Sequence, residues 1–75
     1  MTRAFLFHDV YALYIYRENH GLPHAHICVR GTRIASVFLI TLDYYHESQR
    51  IPKELMEEIR ARQDELIALW IEVNE

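Results

Sequence analysis

Residues 10–17 read V-Y-A-L-Y-I-Y-R, a run of aromatic and branched side chains that suits a pleated strand better than a helix. A strand is predicted there. Glu18-Asn19-His20-Gly21-Leu22-Pro23 clusters Asn, Gly and Pro, and Pro23 biases Leu22 toward extended backbone, so the chain reverses over these residues. In residues 24–30, His24, His26, Cys28 and Arg30 alternate with Ala25, Ile27 and Val29. This is the period-two signature of a half-buried strand whose second set faces the core. Arg30-Gly31-Thr32-Arg33 places Gly31 first in a two-residue hairpin loop, where a type II′ turn requires positive φ. The next strand, residues 33–41, is apolar on both faces, with Ile34, Ser36, Phe38 and Ile40 against Ala35, Val37 and Leu39. That predicts a central strand whose second face needs cover. Residues 5–7 add a short edge strand.

After the polar stretch 43–50, Pro52 stands at the first helical position, and Glu54 and Glu57 suit the positive end of a helix dipole. Leu55, Ile59, Leu66, Trp70 and Val73 then form a single stripe on a helix over residues 52–73, about 33 Å long. The predicted fold class is α+β: a three- or four-stranded antiparallel meander with one long C-terminal helix packed on one face. Residues 1–75 make one small domain, since 75 residues leave no room for two.

Composition adds constraints on partners and compartment. With 51% hydrophobic and 25% charged residues the chain is expected to fold, on a thin core that favours self-association or a stabilising partner. The net charge of −3 is divided unevenly, +1 over residues 1–50 and −4 over 51–75. A sequence pI near 5.9 and a single lysine speak against a whole-protein field for nucleic acid, leaving room for a local arginine patch. Cys28 stands alone, so a reducing compartment fits best. His8 and Asp9 break the N-terminal apolar run before it reaches the length of a secretory signal. The longest stretch without charge or histidine, residues 34–42, is too short to span a membrane. A soluble, cytoplasmic protein is expected.

The distinctive chemistry is His20-x-x-x-His24-x-His26. His24 and His26 share a sheet face, and His20 in the turn can fold back to join them. Three imidazoles are a ligand set for a divalent metal, zinc or manganese, with Glu18, His46 or Asp43 supplying a carboxylate or fourth nitrogen. The competing reading, which the spacing alone favours, makes them packing and hydrogen-bonding residues of a turn. Tyr14, Tyr16, Arg17, His24, His26, Arg30 and Arg33 make a polar, aromatic, mildly basic interaction surface. Aromatics interleaved with arginine grip single-stranded nucleic acid, although aromatic strand residues more often serve cores and protein interfaces. Cys28 lies on the histidine face and reads as a small buried hydrophobe.

The stretches Y-I-Y-R-E-N-H-G-L-P-H-A-H-I, R-G-T-R-I-A, R-I-P-K-E-L and E-L-I-A-L-W resemble the bacterial family called domain of unknown function 4160. Its members have a strand, an E-H-x-P-P-H-x-H turn and strand, a hairpin, an L-P helix start and a late Trp. The resemblance runs from about Tyr11 to Trp70. Gly21-Leu22 replaces the two turn prolines, and Glu58 stands where a first helix tryptophan is common, departures that imply a looser turn and a less firmly docked helix. Members are often encoded beside another small protein in arrangements like toxin-antitoxin pairs, which implies a protein partner, and His20, His24 and His26 match the family motif. The first functional reading is therefore a small non-catalytic interaction or regulatory module, one component of a toxin-antitoxin-like or mobile-element pair. It acts as a homodimer or with a small protein encoded nearby. The alternative is a metal-dependent hydrolase of ribonuclease type, with His20, His24 and His26 as ligands and Glu18 or His46 as general base or fourth ligand.

Overall fold

A computed structural model of the chain describes residues 2–18, 21–45 and 47–75. Four strands, β1 (Thr2–Phe7), β2 (Tyr11–Ile15), β3 (His24–Val29) and β4 (Thr32–Phe38), pair antiparallel in chain order. Helices α1 (Lys53–Ala61) and α2 (Gln63–Val73) follow. The α+β meander expected from the patterning is present, and the edge strand expected at residues 5–7 extends back to Thr2 with a bulge between Arg3 and Phe5.

The core lies between one sheet face and the helices. Leu13 and Ile15 of β2, Ala25 and Ile27 of β3, and Ala35 and Val37 of β4 are buried there against Ile51, Leu55, Ile59 and Leu66. The helical stripe is the predicted one, with Trp70 and Val73 half-buried at its far end. The helical stretch divides at Arg62, whose backbone (φ −104°, ψ 14°) leaves the helical region. Its guanidinium bonds Glu58 at 2.6 Å and lies 4.6 Å from the Phe5 ring centroid. Pro52 is the N-cap rather than the first helical residue. No helix among the described residues is long and apolar enough to cross a membrane.

Two expectations need correction. Val29 pairs with Thr32, so the hairpin loop is Arg30-Gly31, not Gly31-Thr32. Both residues have positive φ (53° and 80°), the requirement of a type I′ turn, whose twist matches that of the strands. β4 is the last strand of the sheet rather than a central one. The chain itself pairs the free edge of this strand and covers part of its second face. Tyr45 donates its N–H to the Ser36 carbonyl and Gln49 to that of Ile34, Val37 bridges Tyr44, and the Tyr45 ring packs 5.0 Å from Phe38. Ser36 is consequently 1% exposed, while Ile34 and Phe38 on the same face are half-buried and Ile40 is exposed.

Candidate metal centre

Because side chains alternate along a strand, burying Ala25 and Ile27 in the core puts His24 and His26 together on the outer face, ring centroids 5.2 Å apart. Glu18 reaches them from the segment after β2. Its carboxylate spans both imidazoles, Oε2 against His24 Nε2 and Oε1 at 3.2 Å from His26 Nε2. Asn74, just past α2, holds that segment in place. Its Oδ1 accepts the Glu18 N–H at 2.9 Å, while its Nδ2 donates to the carbonyls of Tyr16 (3.2 Å) and Trp70 (2.9 Å). Tyr16 flanks His26 at 4.8 Å and Tyr45 stacks on His24 at 5.9 Å.

The second nitrogen of each imidazole is also engaged. His24 Nδ1 donates to the Leu22 carbonyl at 2.8 Å, and His26 Nδ1 lies 2.7 Å from Ser36 Oγ, which accepts from Arg33 Nη1 at 3.0 Å. Outer contacts of this kind fix tautomer and ring orientation in metal-ligating histidines. A carbonyl only accepts, so His24 Nδ1 carries a hydrogen and Nε2 is the lone-pair nitrogen of the neutral ring. A lone pair facing a carboxylate oxygen requires a cation between them, either a proton or a metal ion.

The ligand atoms of Glu18, His24 and His26 lie within 4.8 Å of one another. Ligands about 2.1 Å from a tetrahedral ion stand about 3.4 Å apart, so an ion would move the Glu18 carboxylate away from His24 and draw the more widely spaced ligand atoms together. Burial, with His24 and Arg33 acting in the same direction, holds His26 below its ordinary value against the opposing pull of Glu18, which favours the neutral form. Burial pushes Glu18 up, but its contacts with His24 and His26 outweigh that and the carboxyl ends below its ordinary value. The side chains of His24 and His26 are 8% and 13% exposed and that of Glu18 is 28%, so the open side of the cluster lies over the carboxylate.

Of the predicted ligands, His24 and His26 are brought together, whereas His20 and His46 lie outside the described residues. Glu18 lies against both imidazoles, placed to serve as a third ligand. Asp43 is exposed and outside the cluster, and Cys28 is buried outside it, where burial raises its thiol. Among the predicted interaction residues, Tyr14 and Tyr16 stand beside His26 on the outer face and Arg30 occupies the β3–β4 turn. Arg17 is exposed past the end of β2, without a hydrogen bond or ion pair among the described residues. The supporting roles of Asn74, Ser36 and Leu22 have no sequence signature. No protein-family model, curated protein or solved structure matches this chain.

Proposed function

We propose that the protein is a divalent-metal-dependent hydrolase with Glu18, His24 and His26 as its protein ligands. The observation that carries this reading is the carboxylate bridging two imidazoles whose outer nitrogens are already engaged. Two histidines and one carboxylate leaving open positions form the ligand set of hydrolytic zinc sites. Glu18, His24 and His26 would hold the ion, which would supply a water acidic enough to act as nucleophile near neutrality without a separate strong base. The histidine-turn stretch that carries the family resemblance supplies all three ligands, which ties the motif to chemistry as well as to a partner. The test is hydrolysis of two activated esters, p-nitrophenyl acetate and bis(p-nitrophenyl) phosphate, by protein stripped of metal and then loaded with zinc or manganese. Metal-restored turnover that is lost in His26→Ala is expected. Turnover no faster than free metal in buffer, with metal demonstrably bound, would overturn the hydrolase reading.

A further inference from the structure

The outer face of the sheet continues past the metal centre. Beyond His26 it opens into a groove of about 480 Å³ whose lining includes Arg3, Leu6, Ala12, Tyr14, Cys28 and Arg30. Between groove and centre stand Tyr14 and Tyr16, stacked with centroids 6.3 Å apart. Arg33 lies beside them, bonded to the serine that holds His26. Arg30 follows His26 by four positions, just past the end of β3, or about 13 Å at the rise of a strand. Arg3, Arg30 and Arg33 are all exposed. Among the described residues, Asp9 stands at the groove rim and Glu18 at the centre, and a divalent ion would more than neutralise the second. The chain's acidic surplus lies in residues 51–75, which form the helices on the other side of the sheet. The low overall pI therefore conceals a sheet face of opposite sign.

Guanidiniums in line with aromatic rings and a metal ion match a ligand that repeats phosphate and planar base. Bases stack on tyrosines when their faces are free, as they are in a single strand and not in a duplex. The open groove suits a strand that passes across the surface. We propose that this face binds single-stranded nucleic acid, with bases on Tyr14 and Tyr16, phosphates on Arg3, Arg30 and Arg33, and one phosphodiester delivered to the metal. This rests on the hydrolase reading and names its substrate class. In the reaction a water oxygen bonds to phosphorus as one P–O ester bond breaks. One water proton goes to the departing alkoxide, and the other stays on the new phosphate monoester or is released.

The experiment measures fluorescence anisotropy of labelled oligouridine and oligodeoxythymidine with zinc-loaded protein across a salt series. Both strands are expected to bind, and their duplexes and a peptide nucleic acid of the same bases, which has no phosphates, are expected to bind at least about tenfold more weakly. Each phosphate contact contributes about −0.7 to the slope of log affinity against log salt, so Arg3→Gln/Arg30→Gln should make that slope shallower by about 1.4 with metal content unchanged. Equal binding of the peptide nucleic acid, or an unchanged slope in the double variant, would overturn the inference. Metal bound without strand binding removes this inference alone. Strand binding without metal supports the strand-binding face and removes the hydrolase reading.

Discussion

Asn74→Ala should weaken metal binding from the far end of the chain. Among the described residues the Asn74 side chain hydrogen-bonds the Glu18 N–H and the carbonyls of Tyr16 and Trp70, and the first bond spans 56 positions of sequence. Each such bond contributes about 1 kcal/mol net, and carbonyls near the surface recover part of that through water, so the expected cost is about 2 kcal/mol. In a domain of this size that lowers Tm by about 8–16 °C. Freeing the Glu18 backbone also loosens the carboxylate that completes the ligand set, and losing such outer support costs about 10–100-fold in metal affinity. Thermal unfolding by circular dichroism and zinc titration by calorimetry, both well below the variant's Tm, separate the two effects. A lowered Tm with wild-type zinc affinity would refute the positioning argument and reduce Asn74 to a helix terminator.

The remaining predictions concern the fold and its pH dependence. Trp70 closes the helical stripe, so Trp70→Ala should cost about 3–5 kcal/mol and largely unfold the domain in a urea titration. Its Nε1 is buried without a hydrogen-bond partner among the described residues, so Trp70→Phe should stay within about 1 kcal/mol of wild type. Arg30 occupies a left-handed position (φ 53°) that asparagine adopts more readily, so Arg30→Asn should raise stability by about 0.5–1 kcal/mol while weakening oligonucleotide binding. Glu18 and His26 both have folded pKa values below their ordinary ones, so the unfolded chain binds more protons. Metal-free protein should therefore keep the stability due to His26 above pH 6.5 and lose it as pH falls below that value, and the part due to Glu18 should go below pH 4.5. Tm should hold from pH 7.5 to about 6.5 and fall as the pH drops from there to 4, and a rise on acidification would contradict the assigned shifts.

What the sequence disclosed follows how local each determinant is. The alternation in β3 put His24 and His26 on one face because strand period is a local property, and the helical stripe was legible for the same reason. The hairpin register was misread because glycine signals positive φ at its own position, whereas Arg30, rarely left-handed, gives no hint that the loop needs two such residues. β4 looked central because both faces are apolar. Its cover comes from the irregular segment around Tyr45 and Ser48, which has no periodicity to read. Arg62 is a good helix former, so nothing in its identity announces the break between α1 and α2. At the candidate centre the imidazole pair was visible, but the part played by Glu18 depends on how a turn is held by Asn74, a contact between distant residues that no motif encodes.

The central claim is that Glu18, His24 and His26 together hold a divalent ion. Calorimetric titration of zinc and manganese into tag-free, metal-stripped protein tests it directly, with Glu18→Gln and His24→Ala/His26→Ala titrated in parallel. The account predicts one ion per chain for the wild type and a Tm that rises with free metal as mass action requires. It also predicts at least about tenfold weaker binding in Glu18→Gln and none in the double variant. No heat of binding and an unmoved Tm in the wild type, or equal affinity in all three proteins, would contradict it.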